Sequence, residues 1–342
     1  MVKGIVSAAL AVLTLFSPFS SYLRQEKSAA NEAGQKTEQT CAVPGIICWG
    51  DSLTVGAGGD GVNYPDVLHD EIKSRLGAEV NVVNMGVGGE TSATIVGRSG
   101  TEPFRVQAFT VPEECVPVQI KLYSEYKKRM LPLIRDERGV NPVTIAGIEG
   151  IITEERTSVW EWTKYFFTRA EAGEAVEIEK GTPVITDVSD KYLDYVNVVF
   201  IGTNGDFKNA AELIEQQKAI LSRNTETPEE YIVVGIYKLN NAQVKKAYGK
   251  EDHEALEAAM EAEYGERFIN LREYLTTDAL SDAGIEPTDA DIAEIGEGRV
   301  PPSLLVEDGL HLNATGYTLL GKLIYERMEK LGYFEQEMNN EE

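Results

Sequence analysis

The stretch IICWGDSLTVGAGG, residues 46–59, places an apolar run of β-forming residues directly before Gly-Asp-Ser and several glycines. Such a short apolar run is typical of a buried parallel strand. Ser52 stands where this strand ends, and a hydroxyl there projects above the carboxyl edge of the sheet, where open α/β folds bind ligands. A Gly-Asp-Ser turn also has structural uses, so Ser52 alone is weak evidence for a functional site.

The order strand then helix recurs along the 342 residues. Short apolar runs predict strands over 79–86, 195–202 and 231–237, and a brief one within 267–275. Apolar residues at helical spacing predict helices over 64–77, 210–223, 252–265 and 314–332. Alternating βα units predict a parallel sheet with helices on both faces, in a domain formed by residues 45–97 and 194–335.

Residues 98–193 have a different pattern. Alternating apolar and polar positions, separated by glycine and proline, predict a small and mainly antiparallel β-rich subdomain inserted into the α/β domain. Apolar spacing over 121–134 favours a helix within it. Because the insertion begins just after a glycine-rich loop of the α/β domain, we expect it to cover one side of the edge where Ser52 lies.

The N-terminus carries one early lysine and then an apolar run over residues 1–23, which predicts a signal peptide or an N-terminal anchor. Polar and small residues over 24–44 predict a flexible linker. We therefore expect a secreted or cell-surface protein that meets a membrane only through such an anchor. The formal net charge of −24 argues against nucleic acid as a partner, because an acidic protein and a polyanion repel each other.

The three cysteines, Cys41, Cys48 and Cys115, cannot all pair within one chain. Cys48 lies inside the first apolar run, so we expect a buried thiol there. Cys41 and Cys115 are able to form a bridge in an exported protein. The spacing of the three resembles no metal site, and we predict neither a metal nor an organic cofactor.

A nucleophilic serine needs a base, and histidine is the usual one. Of the three histidines, His69 and His253 lie in predicted helices, whereas His311 follows an apolar run and precedes the last helix. Asp308 stands three residues before His311. In a tight loop that spacing lets the carboxylate accept the Nδ1 proton and leaves Nε2 to take the serine proton, although Asp-x-x-His is also common in plain turns.

Attack on an ester also requires hydrogen-bond donors for the oxyanion. The loop NMGVGGETS, residues 84–92, follows the second strand with three glycines that leave backbone N–H groups accessible. The loop FIGTNGD, residues 200–206, follows another core strand and presents the amide of Asn204. The four loops are predicted to lie at one edge of the sheet. They carry the Ser52 hydroxyl, the backbone N–H groups of the glycine-rich loop, the Asn204 amide and the Asp308–His311 pair, and this set of groups is suited to acyl transfer.

These four segments resemble the four motif blocks of the SGNH (GDSL-type) hydrolase superfamily. The resemblance implies a flavodoxin-like three-layer α/β/α sandwich and a serine esterase, with Ser52 as nucleophile and Asp308 and His311 as its partners. It also implies an oxyanion hole formed by Ser52, Gly89 and Asn204. The family commonly shows Gly-x-Asn-Asp, whereas this chain has Asn204-Gly205-Asp206, so the role of Asp206 stays open.

We expect a secreted esterase that cleaves short-chain or acetylated carbohydrate esters. A lipase or lysophospholipase acting on lipid esters is the alternative, and a non-catalytic carbohydrate-binding module is disfavoured because no catalytic residue is missing. Trp160, Trp162 and Phe166 share one face of a predicted strand, with Tyr165 and Phe167 on the other. They form either a sugar platform or the insertion's own core. Arg98 either contacts substrate or pairs with an acid.

Overall fold

The computed structural model describes residues 44–124, 132–134, 138–155, 163–238 and 250–334. Its helices, numbered in chain order, are α1 Ser52–Val55, α2 Tyr64–Leu76, α3 Ser92–Ser99, α4 Ala210–Leu221, α5 Lys250–Tyr264, α6 Leu271–Thr277, α7 Ala279–Asp282, α8 Asp289–Gly296 and α9 Ala314–Lys330. None of these helices is long and apolar enough to cross a membrane.

The strands fall into one parallel and several antiparallel groups. In chain order they are β1 Ile46–Gly50, β2 Val82–Gly86, β3 Arg105–Val106, β4 Phe109–Val111, β5 Val118–Ile120, β6 Leu122–Tyr123, β7 Val143–Ile145, β8 Ile148–Glu155, β9 Lys164–Arg169, β10 Val176–Ile178, β11 Val184–Thr186, β12 Val196–Phe200, β13 Tyr231–Val234 and β14 Phe268–Ile269.

The parallel sheet has the order β14-β13-β12-β1-β2. Renumbered along the sheet's own strands this is the order 2-1-3-4-5, the doubly wound arrangement of the flavodoxin-like fold. The direction of winding reverses between β1 and β12. Loops that leave the carboxyl ends of these two strands therefore border a crevice, which is where such folds bind ligands.

Both faces of this sheet are covered, because successive side chains of a strand point to opposite sides. Ile46 and Cys48 of β1 pack with α2, α6 and α9 in one apolar cluster. Ile47 and Trp49 of the same strand pack with α3, α4 and α5 in a second cluster on the other face. The result is an α/β/α sandwich, and Cys48 is fully buried as the sequence predicts.

The antiparallel strands lie between α3 and β12 in the chain. They form a five-stranded sheet of order β11-β7-β8-β9-β5 and two small pairs, β10-β4 and β3-β6. Their apolar side chains make a third cluster. The sequence analysis starts the insertion at residue 98, which falls inside α3. That residues 98–193 form a separate subdomain stays a prediction.

The expected helix over 121–134 is wrong at its start. Leu122 and Tyr123 form the strand β6, which pairs antiparallel with β3, and they are not helical. Residues 125–131 lie outside the described part of the chain. The short helices α6, α7 and α8 follow β14 in a region where the sequence pattern gives no clear helical stripe.

Candidate active site

Ser52 is the first residue of α1, directly after β1. Asp51 caps this helix, since its side chain accepts a hydrogen bond from the backbone N–H of Leu53 at 3.0 Å. Gly50 is required for the tight strand-to-helix turn, because a Cβ at this position would lie 1.9 Å from Oγ1 of Thr54. The Gly-Asp-Ser sequence thus shapes a short turn that presents the Ser52 hydroxyl at the sheet edge.

The hydroxyl of Ser52 meets an imidazole from the far end of the chain. Oγ of Ser52 lies 2.8 Å from Nε2 of His311. On the other side of the ring, Nδ1 of His311 lies 2.5 Å from Oδ2 of Asp308. The three side chains form a continuous hydrogen-bonded series at the carboxyl edge of β1.

The other carboxylate oxygen of Asp308 accepts the backbone N–H groups of Leu310 and His311 at 2.8 and 2.9 Å. Burial alone would raise the pKa of Asp308, but the hydrogen bonds from the His311 ring and from these two N–H groups outweigh it and hold the pKa at about 2. Asp308 is therefore ionised at neutral pH and is fixed in the orientation that faces the imidazole.

The loop that carries this pair is anchored on the residues that follow β13. The hydroxyl of Tyr237 donates to the carbonyl of Leu310, and the ammonium of Lys238 donates to the carbonyl of Gly309. Tyr237 is buried. These bonds hold the Asp308–His311 turn against the sheet, and sequence reasoning missed both anchors because it treated 231–237 only as a strand.

The glycine-rich loop after β2 lies beside Ser52. A Cβ placed on Gly88 would be 3.8 Å from Cβ of Ser52, so the loop backbone is close to Ser52. Gly89 has φ of 87°, a left-handed conformation that L side chains rarely adopt, and it is exposed. The loop therefore presents unshielded backbone next to the Ser52 hydroxyl.

Asn204 enters from the loop after β12. Its Nδ2 donates to the carbonyl of Glu90 at 2.9 Å and to Oδ2 of Asp51 at 3.3 Å. The amide is thus oriented by the turn that carries Ser52 and by the glycine-rich loop. Burial raises the pKa of Asp51 from 3.8 to about 7; the hydrogen bond from Leu53 lowers it, and the charge of Glu90 adds to the rise.

A comparison with known families accounts for this arrangement. The family model of GDSL-like lipases/acylhydrolases matches residues 46–324, which is most of the chain. The chain belongs to this family. It is a carboxylic ester hydrolase. No curated protein matches the sequence.

Arg98 of this GDSL-like hydrolase does not face the site. It is fully buried, and its Nη2 and Nε donate to Oε2 of Glu90 at 2.7 and 2.9 Å. Nη2 also donates to the carbonyl of Met85 at 2.8 Å, and the guanidinium lies 5.6 Å from the ring centroid of Trp49. A guanidinium without exposed surface does not reach a substrate, so the substrate-binding expectation for Arg98 is wrong. The alternative, a pair with an acid, is what the structure contains.

Asp206 has a bracing role in the Asn204 loop. It adopts φ of 76°, and its Oδ2 accepts the hydroxyl of Thr91 at 2.9 Å. The carbonyl of Gly205 accepts both the backbone N–H and the hydroxyl of Ser92. These contacts tie the loop after β12 to the start of α3, which fixes the position of Asn204 relative to the glycine-rich loop.

The remaining sequence candidates fall outside the site or outside the described residues. Trp160, Trp162 and Cys41 belong to the segments that the structure does not describe, so the sugar platform and the Cys41–Cys115 bridge stay predictions. Tyr165 and Phe167 are buried in the third apolar cluster. His69 lies on the surface of α2, and His253 is partly buried beside Glu257.

Two residues that support the site carry no signal in the sequence. Glu90 gives its carbonyl to Asn204 and its carboxylate to Arg98. Arg138, from the segment between β6 and β7, donates to Oδ1 of Asn84 at 3.0 Å and to the carbonyl of Gly86 at 3.1 Å. Within the described residues, no three His, Cys, Asp or Glu side chains converge to hold a metal ion.

Proposed function

We propose that this hydrolase cleaves esters through an acyl-enzyme on Ser52, with His311 as general base and Asp308 as the residue that orients it. The observation that carries the proposal is the pair of hydrogen bonds on His311, to Ser52 Oγ at 2.8 Å and to Asp308 Oδ2 at 2.5 Å. An ionised Asp308 accepts the Nδ1 proton, so the tautomer leaves Nε2 free to accept the serine proton.

In the first half of the reaction, Ser52 Oγ forms a bond to the ester carbonyl carbon while its proton passes to Nε2 of His311. The carbonyl oxygen becomes an oxyanion held by the N–H groups of Ser52 and Gly89 and by the amide of Asn204. The bond to the alcohol oxygen then breaks, and His311 returns the proton to that oxygen. In the second half, His311 deprotonates a water molecule, which attacks the acyl-enzyme and regenerates Ser52.

We propose a short-chain ester, such as an acetyl group on a carbohydrate, as the substrate. Four loops lie around the site, residues 56–63, 87–91, 201–209 and 305–313, and their exposed residues support this substrate. They are Gly58, Asp60, Gly61, Gly89, Lys208, Asn209, Glu307 and Asp308. None has an apolar side chain, and the apolar residues of the same loops are buried or half-buried, whereas a lipase needs a broad apolar surface around its nucleophile. A lipase or lysophospholipase is the second candidate, which the family description keeps open.

We further propose that the enzyme is exported and acts outside the cytoplasm. Support comes from the sequence of residues 1–44, of which only residue 44 is among the described residues. Fractionation of cells that express the full chain, compared with a variant lacking residues 1–23, tests this proposal. Equal distribution of the two proteins would contradict it.

The reaction is tested with p-nitrophenyl esters of two to twelve acyl carbons, beside acetylated xylan. We expect turnover to be highest with acetate and to disappear in Ser52→Ala without loss of the fold, as checked by circular dichroism. Thr318→Ala is a matched control, because Thr318 is a hydroxyl residue of α9 whose side chain donates only within its own helix, to the carbonyl of Ala314. Preference for long chains would support the lipase candidate instead.

A further inference from the structure

Leu133 lies close to the glycine-rich loop of the site. A Cβ built on Gly89 would be 3.4 Å from Cδ1 of Leu133, so the Leu133 side chain occupies the space next to this glycine. Gly88 of the same loop lies against Ser52. Leu133 therefore lies beside the same glycine-rich loop that approaches Ser52, although it comes from the segment between β6 and β7.

Two contacts show how the structure fixes this segment. The hydroxyl of Tyr165, on β9, donates to the carbonyl of Pro132 at 2.6 Å, and Tyr165 is itself buried. A few residues on, the guanidinium of Arg138 donates to Oδ1 of Asn84 and to the carbonyl of Gly86, at the carboxyl end of β2. Pro132, next to Leu133, is thus held to the antiparallel sheet, and Arg138 is held to the parallel sheet.

Leu133 is not needed to fill a core. Among the described residues it belongs to none of the three apolar clusters, whereas the adjacent Ile134 packs against the third cluster. Leu133 is partly exposed. An apolar side chain that lies next to an oxyanion-loop glycine and remains partly exposed is suited to contact a substrate.

The chemistry indicates which part of the substrate it would meet. The leaving oxygen must receive a proton from His311, whose loop is anchored on the residues that follow β13. The glycine-rich loop follows β2, on the opposite side of β1 in the sheet order. The carbonyl oxygen binds the N–H groups of Ser52 and Gly89, and the alcohol portion of the ester lies toward His311. The acyl portion is the remaining substituent, and it then extends on the β2 side of Ser52, past the glycine-rich loop and toward Leu133.

We propose that Leu133 is a specificity-determining residue that closes the acyl side of the site and restricts it to short acyl groups. This inference rests on the proposed function, because it assumes that the ester carbonyl binds between Ser52 and Gly89. The β-rich segment thereby supplies part of the active-site wall.

The experiment compares kcat/KM for p-nitrophenyl acetate, butanoate and hexanoate in the wild type, Leu133→Ala and Leu133→Trp. We expect Leu133→Ala to raise the hexanoate-to-acetate ratio by about tenfold, the lower end of what one methylene changes in a closed pocket. Leu133→Trp should lower the same ratio. Ile134→Ala is the matched control, since it removes apolar packing against the third cluster and leaves the Leu133 side chain next to Gly89 unchanged. Its ratio should match the wild type.

An unchanged or lowered ratio in Leu133→Ala would overturn the inference. A change confined to a series of acetate esters with different alcohols would also overturn it, because Leu133 would then face the leaving group. Failure of the proposed function is distinguishable, since in that case the wild type lacks ester hydrolysis or Ser52→Ala retains it. The chain-length comparison is interpreted only once that dependence on Ser52 is established.

Discussion

Replacement of Asn204 by alanine tests the oxyanion hole. The Nδ2 group makes one short bond to the carbonyl of Glu90 and one long contact of 3.3 Å to Asp51. The short bond to Glu90 keeps the amide in place. The second hydrogen of Nδ2, which makes the long contact to Asp51, can turn to an oxyanion, because a hydrogen bond to a charged acceptor is stronger. Asn204 is therefore a donor that is oriented before the substrate binds.

The expected loss is about 2.7–4 kcal/mol of transition-state stabilisation, or roughly 10²–10³ in kcat. Because the bond strengthens only as the oxyanion forms, kcat and kcat/KM should fall together while KM changes little. The two hydrogen bonds lost from the folded protein should also lower the free energy of unfolding by about 1–3 kcal/mol.

A matched control separates these two effects. Asn224 is a buried asparagine whose Nδ2 likewise donates to two acceptors, the carbonyl of Tyr195 at 3.2 Å and the hydroxyl of Thr227 at 2.9 Å. Oδ1 of Asn224 also accepts the backbone N–H groups of Glu226 and Thr227 at 3.1 and 2.9 Å. Asn224→Ala should therefore lose at least as much stability in urea unfolding and keep its kcat on p-nitrophenyl acetate. If Asn204→Ala hydrolyses this ester within threefold of the wild type, the amide does not hold the oxyanion.

Two further predictions concern the buried acids. Arg98→Met should lower the free energy of unfolding by about 3–5 kcal/mol, because it leaves the Glu90 carboxylate buried without its partner. Urea unfolding of this variant is compared with that of Arg98→Met/Glu90→Gln, in which the buried carboxylate is absent. Equal losses of stability in both proteins would count against the ion pair. The raised pKa of Asp51 means that the folded state keeps a proton which the unfolded chain releases above about pH 4. Stability should therefore fall as the pH rises from about 4 to 7, and Asp51→Asn should flatten that part of the urea-unfolding pH profile; parallel profiles would refute the assignment.

The parallel strands could be predicted from the sequence because they are buried on both faces. All five residues of β1 and of β12 are buried, and each strand appears in the sequence as an apolar run. The run of β12 is interrupted by Asn197, whose Oδ1 accepts the indole N–H of Trp49 at 2.9 Å. Helices α6, α7 and α8 are harder to find, since each is too short to show a clear stripe of apolar residues in the sequence. Helix α8, for example, starts at a capping box between Thr288 and Asp291, whose carboxylate also accepts the backbone and hydroxyl of Ser303.

The proximity of the candidate site residues was predictable because each stands at the end of a strand or just before a helix, where an α/β fold gathers its loops. The environment of Arg98 could not be predicted, because an arginine that contacts substrate and an arginine that neutralises a buried acid look the same in a sequence. The expected helix over 121–134 failed for a similar reason. Its first residues have helical spacing, but the pairing of Leu122 with Val106 is a long-range contact that spacing does not reveal.

The most direct test is covalent labelling with a fluorophosphonate, which reacts with a serine only when a neighbouring base activates it. Intact-mass and peptide mass spectrometry should find one adduct per chain, on the peptide that contains Ser52, together with loss of ester hydrolysis. His311→Ala should label orders of magnitude more slowly, and Ser52→Ala should not label. An adduct on a different residue, or labelling of His311→Ala at the wild-type rate, would contradict activation of Ser52 by His311.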